Sequence, residues 1–348
     1  MNTEFSLANW KRSFFTIWGG QAFSLLGSSL AGFALVWWLT STTGSATVLA
    51  FGTLMQVLPQ ILLGPLLGTL VDRWNRRLVM IVSDSVIAAF SLGLALLFWQ
   101  GKASFWHVYI ILFVRAVGGV FHLLAMQAST PLMVPEKHLG RVAGANQTLQ
   151  GVMNIVAPAL GAVLLGIFPI YIVLLVDVGT ALLAILPLLF ISIPQPTPIN
   201  ADAPEEMEQV VSVPTRASLG QEMSEGLQFV WGWPGLRAII LLAMISNLMT
   251  IPAMSFLPLM VTRHFGGGVL EVGWMSTVQG AGLLCGGLLL AVWGGFKKRI
   301  LTILPAVIVM GLGLGSIGLA PASLFALGLI GNFIFCLMRP VIDGSMFA

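Results

Sequence analysis

The chain has 348 residues, 57% of them hydrophobic and only 8% charged, with a mean hydropathy of +0.96. Soluble domains carry about a quarter charged residues, so the composition excludes a soluble protein and requires an integral membrane one. A formal charge of +3 would suggest a polyanion partner in water, but here the placement of the charges matters more than their sum, and no nucleic-acid partner is expected.

Only helices or closed barrels satisfy every backbone polar group in lipid. Apolar runs of about 20 residues without alternation select helices, so the fold class is all-α and polytopic. Runs bounded by charge, glycine and proline predict ten spans, at 13–41, 46–70, 78–100, 104–127, 143–167, 169–193, 236–262, 270–293, 300–319 and 322–339. The first follows Lys11 and Arg12 with no cleavage-site pattern, so it is expected to stay as span 1. It offers Gln21, Ser24 and Ser28 on one face. A cytoplasmic N-terminus leaves only Lys102 and Arg263 of the loop cations outside, which is the orientation the positive-inside bias predicts.

Spans 2 and 3 are joined by Gly64-Pro65-Leu66-Leu67-Gly68-Thr69-Leu70-Val71-Asp72-Arg73-Trp74-Asn75-Arg76-Arg77. A glycine, three residues, Asp-Arg and then paired cations resembles the signature loop of the major facilitator superfamily of secondary transporters. The resemblance implies a conformational hinge at Gly68, Asp72, Arg73, Arg76 and Arg77, with the acid facing the N-terminus of an eleventh helix. Beyond the tenth predicted span no such helix follows, which leaves a solvated anchoring loop as the other reading. Asp84, a turn or two into span 3, is expected near the interface, supporting Asp72.

Arg115 falls about ten residues into span 4, near the midplane, where an unpaired guanidinium costs at least roughly 2.5 kcal/mol. It must face protein or water. Gly119, His122 and Met126 share its face. Arg115-Ala116-Val117-Gly118-Gly119 resembles the span 4 motif of proton-coupled exporters in that superfamily, which implies a role in proton transfer. Asp177, about 12 Å deep in span 6, is the expected partner. Burial and a neighbouring cation act on such a carboxyl in opposite senses, so Asp177 is a candidate proton carrier. A permanent ion pair locking the bundle stands beside that reading.

Span 5 carries Gln147, Gln150 and Asn154 at helical spacing, then Pro158 and Gly161. Ala157-Pro158-Ala159-Leu160-Gly161 resembles the glycine-proline motif of antiporters, although Ala157 stands where that family has glycine, and Pro158 is expected to kink the helix. Pro194 to Gly235 reads as a cytoplasmic linker, with Leu219, Met223, Leu227 and Val230 marking a short interfacial helix. The expected domains are therefore a six-helix bundle over 1–193, the linker over 194–235 and a second bundle over 236–348.

Span 7 adds Asn247, Thr250 and Met254. With Phe23, Trp37, Met55, Met126 and Phe256, the polar faces of spans 1, 4, 5 and 7 could line a large adaptable cavity. Span 8 ends in Gly286-Gly287-Leu288-Leu289 through Lys298-Arg299, which aligns without gaps on the span 2 loop and has Gly294 opposite Asp72. Such a repeat is expected of duplicated transporter halves. Four spans in the second half against six in the first predict about ten of an expected twelve helices. Cys285 and Cys336 both lie in apolar runs, so no disulfide is suggested. Neither a nucleotide loop, a metal cluster nor a nucleophile triad is visible, and neither an enzyme nor a cofactor is expected.

Taken whole, with Asn9-Trp10-Lys11-Arg12, Ile17-Trp18-Gly19-Gly20-Gln21-Ala22, Thr43-Gly44-Ser45-Ala46, Phe113-Val114-Arg115 and Val134-Pro135-Glu136, the chain resembles the macrolide-efflux exporters of the superfamily. That implies export of a hydrophobic small molecule in exchange for protons, across a bacterial plasma membrane and in contact with its lipid. A siderophore or metabolite exporter of the same fold is the alternative, as is a shortened scaffold serving a partner pump subunit.

Overall fold

The computed structural model describes residues 10–191, 193–194, 231–293, 296 and 300–347. They form eleven helices: α1 (Trp10–Thr43), α2 (Ala46–Arg73), α3 (Arg76–Trp99), α4 (Phe105–Met133), α5 (Glu136–Ile167), α6 (Ile170–Phe190), α7 (Pro234–Ser255), α8 (Leu257–Arg263), α9 (Val269–Trp293), α10 (Ile300–Leu319) and α11 (Phe325–Phe347). Nine of the described helices are long and apolar enough to cross a membrane. The protein is an all-α polytopic membrane protein, as the composition requires. The interfacial helix expected around Leu219 to Val230 lies outside the described residues.

Local chemistry sets the ends. Gly44 turns at φ +57°, a left-handed conformation that suits glycine. The Ser45 hydroxyl then caps α2 by accepting the Val48 N–H at 3.5 Å. Asn75 caps α3, its side-chain oxygen accepting from the Arg77 and Leu78 N–H groups at 3.1 and 3.3 Å. Pro135 and Pro169 stand immediately before α5 and α6. The seventh predicted span is not one helix: it stops at Ser255 and resumes at Leu257. Pro258 has no N–H to give the Met254 carbonyl, and its ring crowds that turn, so the ladder breaks there.

The described residues divide into two compact units. The smaller contains most of α7. The larger holds α1 to α6 together with α8 to α11. In it α1 packs on α5 and α6, α2 on α4, α3 on α4 and α6, and α11 on α9 and α10.

Between apolar helices in lipid, packing and interhelical hydrogen bonds do most of the work, and α1 to α6 divide the task by level. Near the α2–α3 turn, Phe14, Ile17, Val79, Met80, Ala125, Met133 and Leu188 form one apolar plug. At the other end Leu35, Leu39, Leu94, Ala95, Val108, Leu112 and Leu174 form another. The buried polar side chains Gln21, Ser24, Asp84, Ser91 and Asp177 fall between these plugs along their helices. Gly27 lets α1 close on α6 at this level: a Cβ there would overlap the Thr180 hydroxyl and stand 3.0 Å from Asp177 Cα.

The two halves meet mainly through α5 and α9. Added Cβ atoms on Gly273, Gly280 and Gly151 would collide with Ala162, the Asn154 carbonyl and Leu284 respectively. Small residues thus bring these two helices close over the part of α5 farther from the α2–α3 turn. At that same far end Gly44 lies against the Arg263 guanidinium.

Candidate functional site

The polar middle of the bundle is built in two layers. In the first, the Arg115 guanidinium is in direct contact with Asp177 Oδ2. Arg115 also donates to Ser91 Oγ at 3.0 Å and to the Ser28 backbone carbonyl at 2.9 Å. Asp177 accepts from Ser91 Oγ at 2.8 Å and from Ser28 Oγ at 3.1 Å. Four helices, α1, α3, α4 and α6, thus contribute to a single ion-pair cluster, and the Asp177 side chain is only 1% exposed. The pairing expected from charge and depth is present. Ser91, which the sequence did not single out, bridges the two charges.

The second layer corrects the expected place of Asp84. It is 5% exposed, enclosed by neighbouring helices and not solvated as an interfacial group would be. Gln21 Nε2 donates to its Oδ2 at 3.4 Å, and His122 Nε2 stands 3.7 Å away. Counting residues from one end of span 3 gave its depth but not what surrounds it. Gln21 of α1 and His122 of α4 reach the same level and enclose the carboxyl within the bundle.

Beside this layer is a cavity of about 630 Å³. Its walls are Trp18, Gln21, Ala22 and Leu25 from α1, His122, Met126, Gln127 and Thr130 from α4, and Asn146, Gln147 and Gln150 from α5. Both the size and the mixture of apolar surface with a few amides suit a drug-sized ligand. Of the candidate cavity residues, Gln21, His122, Met126 and Gln150 are brought together here. Asn154 is a turn further along α5 and accepts a hydrogen bond from Gln150 at 3.4 Å. Ser24 is buried in α1, and Ser28 is committed to the ion-pair cluster. Phe23 is 58% exposed, while Met55 and Phe256 pack on the far apolar plug. Asn247 and Met254 belong to α7. Trp18 and Asn146 are additions: the indole N–H donates to Asn146 Oδ1 at 2.6 Å, joining α1 to α5 at the cavity wall.

Pro158 lies inside α5, which remains helical from Glu136 to Ile167. Gly161 admits the Phe33 ring, whose Cδ1 would stand 2.8 Å from a Cβ there.

At the α2–α3 turn the side chains of Gly68, Asp72 and Arg73 lie outside the described residues. Arg76 and Arg77 are not the solvated anchors of one reading. Arg76 is 8% exposed and donates to the Ala128 carbonyl in the last turns of α4 at 2.7 Å. Arg77 donates to the Leu188 carbonyl and, at 2.6 Å, to that of Leu189. These oxygens belong to the final turn of α6, where carbonyls lack helical partners and a cation is favourable.

The chain matches a known group of proteins. The model of the Major Facilitator Superfamily matches residues 17–346. The chain belongs to the major facilitator superfamily. It is 34% identical over 336 residues to Macrolide efflux protein A of Streptococcus pyogenes, an alignment covering 97% of this chain and 80% of that protein. It is also 27% identical over 334 residues to the Multidrug efflux pump Tap of Mycolicibacterium fortuitum, covering 92% and 77%. Among solved structures, a bacterial homolog of the human lysosomal transporter Spinster superposes with a TM-score of 0.71 at 13% identity, over 97% of this chain and 74% of that one. Within the superfamily this transporter groups with the macrolide-efflux type, and it is a bacterial membrane transporter and not an enzyme.

Proposed function

We propose that this transporter exports hydrophobic drugs of the macrolide type in exchange for protons, by alternating access, with its N-terminus in the cytoplasm. The observation that carries the reading is the buried Arg115–Asp177 pair, tied to α1, α3, α4 and α6 and close to a cavity of about 630 Å³. A charge pair so deep in a membrane bundle is expensive to maintain and marks ion pathways. The names of the relatives supply the direction of transport and the drug class. Positive-inside bias supports the orientation.

The close α5–α9 packing lies toward the end away from the α2–α3 turn, whereas the cavity walls lie on the other side of that seam. In the cytoplasmic-N-terminus orientation, this arrangement is an inward-facing one: cargo enters from the cytoplasm, the seam parts, and the halves rock about α5. Asp177 carries the exchanged proton, and its release from Arg115 loosens the four-helix cluster. The hinge at Gly68, Asp72, Arg73, Arg76 and Arg77 flexes during the movement, while Arg76 and Arg77 tie α3 to the ends of α4 and α6.

Everted vesicles containing the protein test this directly. Erythromycin should accumulate in them when they are energised, and a protonophore should abolish the accumulation. Asp177→Asn should remove proton-driven accumulation while leaving erythromycin exchange down its gradient. Protonophore-insensitive accumulation would sink the proton reading.

A further inference from the structure

The two polar layers are in register. Gln21 and Ser28 of α1 are seven residues apart, as are Asp84 and Ser91 of α3, and His122 and Arg115 of α4. Seven residues are close to two helical turns, so each pair shares a face with a separation of roughly 10 Å. α4 runs opposite to α1 and α3, and its order is reversed accordingly. One layer thus holds Ser28, Ser91, Arg115 and Asp177, and the other holds Gln21, Asp84 and His122.

The layers differ in how well they are satisfied. Asp177 has a cation and two hydroxyl donors. Asp84, 5% exposed, has one long hydrogen bond from Gln21 and an imidazole at 3.7 Å, beyond hydrogen-bond reach. Gln21 Oε1 and His122 Nε2 are buried without a hydrogen-bond partner. Both residues line the cavity. An ionised carboxylate in such a place needs a counter-charge. Arg115 and Asp177 are the charged groups facing it from the neighbouring layer, on α4 and α6, and they neutralise each other. On α1 the facing group is the uncharged Gln21, and α2 has no titratable residue before its last turn. His107 is tied to Ser104 at the start of α4, so His122 is the group on α4 at this level that can supply a positive charge.

We infer that Asp84 and His122 hold a second exchangeable proton at the cavity wall, apart from the one assigned to Asp177, and that the protonated amine of an amphiphilic cargo displaces it. In the empty transporter the proton rests on His122 and its charge offsets Asp84. When the ammonium group of the cargo approaches Asp84, His122 gives its proton to cavity water and becomes neutral. One cation has entered and one proton has left, so the site keeps its net charge. The cargo half of this inference rests on the drug-export reading, whereas the proton site does not.

Two measurements on the purified chain in nanodiscs test it. In protein labelled with ¹⁵N-histidine, the four histidines give resolvable signals, and His122→Gln identifies the one of interest. Its titration midpoint should shift by about one pH unit, a tenfold change in proton affinity, in Asp84→Asn. Asp84→Glu should restore the midpoint, which separates a charge effect from misfolding. A midpoint unchanged in Asp84→Asn overturns the proton site. With a pH indicator, erythromycin, which bears a tertiary amine, should release about one proton per molecule bound to the wild type. It should release none in His122→Gln. Equal release from both proteins overturns the displacement step. If the wild type binds no erythromycin, the macrolide reading and the displacement step both fall, and the histidine titration still decides the proton site.

Discussion

Asp177 and Asp84 are the two buried carboxylates among the described residues, and they are unequally provided for. Asp177 is held by Arg115, Ser91 and Ser28, whereas Asp84 has Gln21 at 3.4 Å and His122 at 3.7 Å. Two acids in one bundle can therefore do different work. The saturated one holds four helices at a single level until a proton releases it from Arg115, and the under-bonded one faces a cavity that can supply or remove a cation.

Breaking the saturated pair from one side should be costly. Arg115→Leu leaves Asp177 charged and buried, a situation that typically costs about 3–5 kcal/mol. Arg115→Leu with Asp177→Leu removes both charges and should regain most of that loss while remaining inactive in proton-driven export. Thermal unfolding in detergent, run beside vesicle transport, separates the two effects. A double variant no more stable than the single one would show that packing, and not charge, holds this level together.

Arg77 offers a test of the turn. Its guanidinium reaches two carbonyls of the α6 terminus, and hydrogen bonds to a charged group contribute about 1.5–3 kcal/mol each before solvent screening of this half-buried side chain. Arg77→Ala should lower the unfolding temperature and make the α6 end more open to proteolysis. Arg77→Lys should recover only part of the loss, because an ammonium lacks the fork that spans two oxygens. Equal stability of all three proteins would remove the turn from the structural account.

The cavity should respond to its volume. Ala22→Trp fills space between α1 and α4 at the wall lined by His122 and Met126. Erythromycin affinity measured by tryptophan quenching should fall at least tenfold, about 1.4 kcal/mol. Unchanged affinity would place the cargo elsewhere.

Much of this architecture was legible in the sequence because lipid leaves few options. Long apolar runs bounded by charge located α1 to α6 and α9 to α11 to within a few residues at most ends. Opposite charges at similar depth identified the Arg115–Asp177 pair. Less legible was anything that depends on which helix stands beside which. Depth alone put Asp84 at the interface, because nothing local to α3 reveals that Gln21 and His122 meet it. The matching seven-residue intervals in α1, α3 and α4 were the available signal. The partners of Arg76 and Arg77 are backbone oxygens of α4 and α6, which carry no mark in the sequence. Pro252 and Pro258 could have flagged the interruption between α7 and α8.

The α5–α9 seam makes the sharpest demand on alternating access. A Cβ on Gly280 would overlap the Asn154 carbonyl and stand 2.9 Å from the Ile155 nitrogen, and backbone cannot move aside as a flexible side chain would. Gly280→Val should therefore penalise the arrangement in which these helices touch, by the roughly 1–3 kcal/mol typical of overpacking. Against a second conformation of similar energy, that is a population shift of about 5- to 150-fold. The shift should appear far from the substitution, where Gly44 now lies against Arg263. Spin labels at Ser41 and at His264, placed beside that contact so that Arg263 stays intact, should report a short distance in the wild type. In Gly280→Val a longer component should dominate, with erythromycin export reduced. Gly280→Ala should fall between the two, since its single methyl meets the same carbonyl with less bulk behind it. If the distances in Gly280→Val match the wild type while the protein remains folded, the seam does not gate the far end, and the rocking movement about α5 has to be abandoned.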